Sequence, residues 1–392
     1  MSSAPLAFSR GDRSSLGEWF RTIDKLLLML VFALIGVGII AVAAASPAAA
    51  QRLSGMNFTY DSLYFLKRQV LWVLLGLPVL VGVSMLPIKL ARRLAVLGCG
   101  AFGAMLVLVL ISGSGEGANG AMRWLSFGGL KLQPSEFLKP LFIITTAWLL
   151  SLRFEDPGLP VMQLSFGILV VFAGLLMLQP DVGQTALMAA IWLMQAVLAG
   201  MPLMLVGIAV LVGIIGLGIA YLSFSHVAER IDKFIFGAGD TYQIDKALDC
   251  FRAGGLFGVG PGEGRMKFRL PEPHTDYIFS VIGEEFGIIA CLVVAVLYMA
   301  IVVRVFLSLL EEDDPFITLA AAGLTAQFGL QATINMAVNL NLAPSKGMTL
   351  PFISHGGSSF IALCMGMGLL LALTRRNPFL KASPYVERWR GA

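Results

Sequence analysis

The run YIFSVIGEEFGIIACLVVAVLYMAIVVRVFLSL, from Tyr277 to Leu309, contains 33 residues and three charged side chains, at Glu284, Glu285 and Arg304. A helix needs about 20 predominantly apolar residues to cross the hydrocarbon core of a bilayer, so this run is long enough to span a membrane. The whole chain agrees: 57% of its 392 residues are hydrophobic, 13% are charged and the mean hydropathy is +0.82. This composition excludes a soluble domain and predicts an integral membrane protein.

The segment directly before this run is glycine-rich, basic and titratable. It is GGLFGVGPGEGRMKFRLPEPHTD, from Gly254 to Asp276. Pro271 and Pro273 restrict the backbone ahead of Asp276, which predicts that its carboxylate is held near the boundary of water and lipid. An acidic side chain before a helix is often its N-cap, and Thr275 is an equally suitable cap. The alternative is that Asp276 is a general base, kept ionised by nearby cations.

Nine further apolar runs are long enough to cross a bilayer, which predicts an all-α polytopic bundle of ten transmembrane helices. The predicted boundaries are a cytoplasmic N-terminal tail at residues 1–24, the ten-helix domain at 25–374 and a cytoplasmic C-terminal tail at 375–392. A large extracytoplasmic loop, about residues 225–276, separates the seventh and eighth spans. The nine runs are Leu26–Ala45, Gln69–Met85, Leu94–Ile111, Glu136–Leu152, Leu159–Leu178, Gln184–Gly200, Leu203–Phe224, Phe316–Leu340 and Phe352–Thr374.

The distribution of Lys and Arg orients the bundle. With an even number of spans both tails share a side, and short loops on the cytoplasmic side carry an excess of Lys and Arg. The two tails and the loops on their side hold more cations than the short loops opposite, whereas long loops translocate largely regardless of charge. We therefore predict cytoplasmic termini, with Asp276 on the outer face. The first run exceeds a signal-peptide core of about 7–15 residues, so we expect a retained helix.

Two opposite charges stand at the start of the fourth predicted span. Glu136 and Lys139 are three residues apart on one helix face, where they can pair with each other. Ionisable groups inside a bilayer are costly unless they pair or serve a site. The two residues are therefore either a structural ion pair or a functional one. In the functional case Lys139, aided by Lys131 and Arg123, presents positive charge to an anionic headgroup.

Other polar positions have a structural explanation beside a functional one. Asp181 in LQPDVGQTAL is first expected to cap the helix that follows. The glycines of Gly254–Gly264 permit sharp turns or let backbone amides approach a diphosphate, and they lack the Lys-Ser/Thr ending of a nucleotide-binding loop. The ninth span carries an amide at every fourth residue, which either joins helices or lines a polar groove. These amides are Gln327, Gln331, Asn335 and Asn339.

The charged groups distinguish three classes of protein: an enzyme, a transporter and a scaffold. A transporter needs ionisable groups near the bilayer midplane, whereas a membrane-bound transferase gathers them at one face. Pro271, His274, Asp276 and Lys346 border the predicted outer face, which favours an enzyme. The net charge of +4 falls in short clusters beside apolar runs, which argues against nucleic-acid binding. Three of the four cysteines lie in apolar runs, so neither disulfides nor a metal cluster is indicated.

Five motifs, in their order along the chain, resemble the shape, elongation, division and sporulation (SEDS) family of peptidoglycan glycosyltransferases. The resemblance extends from about Asp24 to Thr374, and the motifs are specific as a set. NLAPSKGMTLP further resembles the division branch of the family rather than the elongation branch. His355 stands where the family usually has Tyr, and Met122 where a basic or polar residue is common. The motifs are NGAMRWLSFGGLKLQPSEFLK, LQPDVGQTAL, GGLFGVGPGEG, LPEPHTDYIFSVIGEEFG and LPFISHGGSS.

The resemblance implies polymerisation of lipid II, the undecaprenyl-diphosphate disaccharide-pentapeptide, into glycan strands at the outer face of the bacterial cytoplasmic membrane. It implies that Asp276 is the catalytic base, and that Glu136 and Lys139 are a functional pair. Glycosyl transfer needs such a base at the acceptor hydroxyl and positive charge at the departing diphosphate. The residues expected to contact substrate are Lys139, Glu136, Lys131, Arg123, His274, Lys267, Lys346 and Ser358.

The resemblance also implies partners. These are a class B penicillin-binding protein, which supplies the transpeptidase, and the divisome proteins of the division septum. No cofactor is assigned, and a divalent cation, Mg²⁺ or Mn²⁺, at the substrate diphosphate is left open. The alternatives are an elongation-branch polymerase and a lipid II transporter.

Overall fold

The computed structural model describes residues 15–54, 59–113, 123–127, 130–237, 241–345 and 347–375. These residues are almost entirely helical, with one antiparallel hairpin that joins β1 (Leu125–Phe127) to β2 (Leu130–Leu132). Short 3₁₀ turns lie at Leu152–Phe154 and Met266–Phe268. The helices are α1 (Ser15–Thr22), α2 (Lys25–Leu53), α3 (Tyr64–Ser84), α4 (Ile88–Ser112), α5 (Pro134–Ser151), α6 (Val161–Leu178), α7 (Val182–Leu198), α8 (Leu203–Ser223), α9 (Ser225–Phe236), α10 (Tyr242–Gly254), α11 (Ile278–Leu309), α12 (Pro315–Asn339) and α13 (Gly357–Leu373).

Eight of the described helices are long and apolar enough to cross a membrane: α2 to α6, α8, α11 and α12. The apolar helices α7 and α13 have 17 residues each and coincide with the remaining two predicted spans. The all-α membrane fold is therefore confirmed. The number of ten spans and the domain boundaries stay predictions.

The centre of the bundle is α5, which packs against α4, α6, α7, α12 and α13. Nearly all of its residues are buried, because it is apolar around most of its circumference. In a second group of helices, α13 packs against α3 and α12, while α2 packs against α3 and α11, and α11 packs against α12. In contrast, Ala220 is the only buried residue of α8, and most of the other residues of this helix are exposed.

The segment predicted as a large loop is partly helical. It contains α9 and α10, whose polar and apolar residues fall on opposite faces. The apolar face of α10, with Ile244, Ala247 and Cys250, packs against α11. The loop is thus attached to the N-terminal half of α11 along a helix, and this attachment restricts how far Asp276 can move.

A non-helical segment, from Met348 to Ser354, enters the bundle before α13. A Cβ atom at Gly38, in the middle of α2, would lie 2.9 Å from the Cα of Ile353. Phe352 is buried and has a φ of 64°, in the left-handed region. The hydroxyl of Tyr298 donates to the carbonyl of Pro351 at 2.6 Å. Irregular backbone at membrane depth is tolerated where protein surrounds it, as here.

Candidate active site

Asp276 lies immediately before α11, but it does not cap that helix. The N-cap position is Tyr277, and no side chain caps the first turn. Thr275 instead donates its hydroxyl to the Glu272 carboxylate at 3.0 Å. No donor among the described residues bonds to the Asp276 carboxylate, which faces Gly347: a Cβ there would lie 3.1 Å from Oδ2. Both capping interpretations are therefore wrong, and the carboxylate is left for another partner.

The Asp276 carboxyl is harder to ionise than an ordinary aspartate. Burial raises its pKa to about 7, the negative charge of Glu272 adds to this effect, and Arg230 opposes it. The expectation that nearby cations keep the group fully ionised is thus corrected, because desolvation outweighs them. A carboxyl with this pKa is partly deprotonated at neutral pH, where a general base works best.

The backbone of the His274–Asp276 segment is fixed by hydrogen bonds from the residues that precede α13. The amide of His355 donates to the carbonyl of His274 at 2.8 Å. The hydroxyl of Ser354 donates to the carbonyl of Thr275 at 2.6 Å and accepts from the amide of Leu350 at 2.8 Å. The segment that enters the bundle before α13 therefore supports the segment that carries Asp276.

Two histidines pack beside this segment. The ring of His274 lies 4.0 Å from the ring of Phe65 and 5.6 Å from that of His355, between centroids. His355 Nδ1 is 3.1 Å from the side-chain oxygen of Gln69. Burial lowers the pKa of His274 to about 4. The ring of His274 is therefore neutral at pH 7 and can form hydrogen bonds but carries no positive charge.

Arg123 is held at the turn between α6 and α7. Arg123 donates to the carbonyl of Gln179 at 3.3 Å and to that of Pro180 at 2.7 Å, and it lies 3.9 Å from the Asp181 carboxylate. Asp181 also caps α7, with its carboxylate 3.3 Å from the amide nitrogen of Gln184, which confirms the predicted cap.

Arg230 is a site residue that the sequence analysis missed. It lies on α9, and its charge interacts with those of Arg123, Asp181 and Asp276. The signal in the sequence was the amphipathic pattern of SHVAERIDKFIF, which is typical of a helix at an interface and not of an unstructured loop. The pattern predicts the helix, but only the fold shows that Arg230 is close to Asp276.

Glu136 and Lys139 form a buried ion pair, with Nζ 2.8 Å from Oε2. Lys139 is 1% exposed and also donates to the Gln331 side chain at 3.2 Å. The side-chain nitrogen of Gln184 donates to the other Glu136 oxygen at 2.8 Å. This geometry supports the structural interpretation of the pair. A direct contact of Lys139 with substrate stays a prediction.

The other predicted substrate contacts fall in different environments. Lys267 is 1% exposed, forms an ion pair with Glu285 and donates to the carbonyl of Ala44 at 2.9 Å. These contacts are structural and lie in the protein interior. The buried Ser358 hydroxyl accepts from the amide of Gln133 at 3.3 Å. Lys131 is exposed on β2. Lys346 and Met122 lie outside the described residues.

The glycine-rich loop packs against a break in α11 at Gly287, where φ is 82°. We call this arrangement the loop–kink contact: residues 254–264 against residues 283–289. Four backbone hydrogen bonds of 3.0 to 3.3 Å close it. They run from the amides of Val259 and Gly260 to the carbonyls of Glu284 and Glu285, and from the amides of Ile288 and Ile289 to the carbonyls of Gly255 and Leu256.

The two glutamates of the kink bind the same loop. Glu284 accepts from the amides of Met266 at 2.6 Å and Lys267 at 2.8 Å, and Glu285 accepts from the amide of Gly262 at 2.5 Å. These loop amides are therefore occupied within the protein. The geometry supports sharp turns and close packing as the reason for the glycines, rather than a cradle for a diphosphate.

Replacing Gly287 with Ala is expected to destabilise the protein. A Cβ atom at this position would clash with the carbonyl of Leu256 and lie 2.5 Å from the amide nitrogen of Gly258. Since the φ of 82° is also unfavourable for alanine, we expect a loss of more than about 1 kcal/mol. The midpoint of thermal unfolding in detergent measures this loss of stability. Gly100→Ala, in open space on α4, is the matched control, and equal unfolding midpoints for the two variants would contradict the prediction.

Comparisons with known proteins agree with this architecture. The sequence profile of the FtsW/RodA/SpoVE family, described as cell cycle proteins, matches residues 25–378. A "probable peptidoglycan glycosyltransferase FtsW" of Caulobacter vibrioides is 42% identical, over 96% of this chain and 95% of its own length. The protein of the same name from Trichlorobacter lovleyi is 36% identical, over 90% and 93%.

Two solved structures share the fold. One belongs to a study of a peptidoglycan synthase complex that coordinates polymerisation and crosslinking, with a TM-score of 0.72 and 26% identity over 90% of this chain and 97% of that one. The other is the rod shape determining protein RodA of Thermus thermophilus, with a TM-score of 0.64 and 27% identity over 90% and 96%. On the profile match and the full-length relatives, this chain belongs to the FtsW/RodA/SpoVE family, the SEDS family that its motifs resembled.

Proposed function

We propose that this chain is a peptidoglycan glycosyltransferase that polymerises lipid II, with Asp276 as its catalytic base. The observation that carries the proposal is the Asp276 carboxyl: it has a pKa of about 7 and receives no hydrogen bond from the described residues. A partly deprotonated carboxyl to which no described residue donates a hydrogen bond is suited to accept a proton from a bound hydroxyl.

The reaction is a displacement at the anomeric carbon of the donor. Asp276 removes the proton of the acceptor's sugar hydroxyl, and that oxygen forms the new bond to the anomeric carbon. The bond from this carbon to the diphosphate oxygen breaks, so the undecaprenyl diphosphate leaves with the electron pair. The proton remains on Asp276 until solvent takes it. Negative charge grows on the departing diphosphate, where fixed positive groups stabilise the transition state.

Arg123 and Arg230 are the described cations best placed for this diphosphate. The charge of Arg230 interacts with those of Asp276 and Arg123, whereas Lys139 and Lys267 are buried in ion pairs. A planar guanidinium group can donate two parallel hydrogen bonds to two phosphate oxygens, which suits a diphosphate ligand. Lys131 and Lys346 stay predicted contacts from the hairpin and from the segment before α13.

A divalent cation at the diphosphate stays a prediction. Among the described residues, no three His, Cys, Asp or Glu side chains converge as metal ligands. An ion bridging the phosphate oxygens would therefore take most of its ligands from the substrate and water, as Mg²⁺ commonly does.

The proposed setting is the outer face of the cytoplasmic membrane at the division septum, with both termini in the cytoplasm. The Lys/Arg bias supports this orientation, and the relatives named FtsW support the division role over elongation. The neighbouring structure's link between polymerisation and crosslinking supports a class B penicillin-binding protein as partner. An enzyme rather than a transporter is supported by the position of Asp276, Arg123 and Arg230 at one end of the bundle.

Polymerisation of lipid II by the purified full chain in detergent, with and without a class B penicillin-binding protein, tests the proposal. We expect glycan strands that depend on this chain. Reconstitution into liposomes provides the second arm. Transfer of lipid II between leaflets, with no glycan strands under any condition, would overturn the proposed enzyme in favour of a transporter.

The polymerisation rate is expected to fall below neutral pH. Asp276 acts as a base only when deprotonated, and its folded pKa is raised to about 7. The rate should therefore rise with pH through about 7 and level off above it. His274, with a pKa of about 4, stays neutral over this range and does not contribute. A rate–pH profile under substrate saturation checks this, and a rate that is flat from pH 5 to pH 8 would contradict it.

A further inference from the structure

Two side-chain amides of α12 hold the backbone carbonyl of Asp276. Asn335 Nδ2 and Asn339 Nδ2 each donate to this oxygen at 2.9 Å. Both asparagines are almost fully buried, at 1% and 0% exposure. A carbonyl oxygen has two lone pairs, so these two bonds satisfy it completely.

Asn339 binds the start of α11 at the Ser280 amide, which also donates to the carbonyl of Tyr277 at 3.1 Å. In a regular helix the amide of Ser280 would donate to the carbonyl of Asp276, four residues earlier. Here the side-chain oxygen of Asn339 accepts from the Ser280 amide at 3.1 Å and from its hydroxyl at 2.8 Å. The nitrogen of the same amide binds the Asp276 carbonyl. Asn339 therefore bridges the two backbone groups and holds Asp276 out of the helix.

Asn335 fixes the surface that faces the carboxylate. Besides the Asp276 carbonyl, its nitrogen binds the carbonyl of Met348 at 2.6 Å. The preceding residue, Gly347, is the one that lies against the Asp276 carboxylate. A single amide thus connects the backbone of Asp276 with the backbone opposite its side chain, and so sets the distance between them.

We propose that Asn335 and Asn339 are positioning residues for the Asp276 carboxylate, an inference that rests on the proposed role of Asp276 as base. They act through the Asp276 backbone and do not touch the substrate. This role explains why the two asparagines lie on the amide-bearing face of α12.

Gln331 lies on the same face and binds the Lys139 side chain and the carbonyl of Thr349. Three of the four amides, Gln331, Asn335 and Asn339, therefore connect α12 to other segments, as one interpretation of the sequence predicted.

The test compares Asn335→Ala and Asn339→Ala with the wild type in lipid II polymerisation by the full chain and its class B partner. A reacting group displaced by about 1 Å costs on the order of 10²-fold in rate, so we expect a large fall in kcat with KM for lipid II nearly unchanged. A released carboxylate gains water, which lowers its pKa. The acid side of the rate–pH profile should therefore move to lower pH in both variants.

Gln327→Ala is the matched control, because Gln327 lies on the same face of α12 and bonds to none of the described residues. It borders a cavity between α12 and α13 and should keep both kcat and the pH midpoint of the wild type. If Asn339→Ala does not fold, the Asn335→Ala variant alone tests the proposal, since it removes only one of the two hydrogen bonds to the Asp276 carbonyl.

Two results would overturn the inference. One is wild-type kcat and pH midpoint in both asparagine variants. The other is a lower rate with an unmoved pH midpoint and a lower thermal unfolding midpoint, which would make the asparagines structural only. Neither result would contradict the proposed function. That function would be contradicted if a variant of Asp276 itself retained full activity.

Discussion

Asp276→Asn is expected to abolish measurable glycan synthesis while the protein remains folded. The substitution keeps the size of the side chain and removes its ability to accept a proton. General-base catalysis contributes about 10²- to 10⁴-fold to a rate, so we expect a loss of that order in polymerisation. Gel or chromatographic analysis of glycan strands from purified lipid II measures it.

The stability of the same variant separates catalysis from folding. Since burial raises the folded pKa of Asp276 above the ordinary 3.8, ionisation opposes folding, and the wild type loses stability as pH rises from about 4 through about 7. Asn cannot ionise, so the variant should unfold at the wild-type temperature or above it at pH 8. Glu263→Gln, in the exposed part of the same loop, is the control and should polymerise normally. Full activity in Asp276→Asn would remove the proposed base.

Lys139→Ala is expected to destabilise the protein strongly. It leaves Glu136 buried and without its ion-pair partner, and breaking a buried pair from one side costs about 3–5 kcal/mol. Thermal unfolding in detergent, alongside the level of folded protein in the membrane, measures this loss. Lys131→Ala, on the exposed face of the hairpin, should unfold like the wild type.

The double variant Glu136→Gln/Lys139→Met distinguishes a structural pair from a substrate contact. Replacing both charges removes the buried ion pair without leaving an unpaired charge, so the unfolding temperature should return close to that of the wild type. We expect glycan synthesis to return with it, because the Lys139 ammonium is bound by Glu136 and Gln331. A well-folded double variant without glycan product would instead assign Lys139 to the substrate.

Much of the architecture follows from local sequence patterns. Run length and hydropathy predicted the apolar helices, the spacing of three predicted the Glu136–Lys139 pair, and turn chemistry predicted the Asp181 cap. Each of these depends on residues close together in the chain. The spacing of four on α12 likewise predicted a polar face whose members join helices.

The remaining features depend on residues far apart in sequence, and local patterns do not encode them. Lys267 was predicted to contact substrate, but its partner Glu285 lies on α11 just before the kink at Gly287, and the ion pair is buried. The pKa of Asp276 was predicted from the sign of nearby charges, whereas burial, which only the fold reveals, dominates it. Arg230 was overlooked because its proximity to Asp276 depends on how α9 is placed.

The loop–kink contact imposes an order on biogenesis. The glycine-rich segment leaves the ribosome before its hydrogen-bonding partners at residues 283–289, so it cannot adopt its final conformation until the translocon has released α11. The Asp276 segment reaches its final conformation later still, because the residues that bind its backbone, Asn339 and Ser354, lie on α12 and just before α13. A nascent chain that stops after α11 would already contain Arg230 and still lack the groups that fix the backbone of Asp276. Catalytic competence is therefore acquired only as the last two helices are integrated.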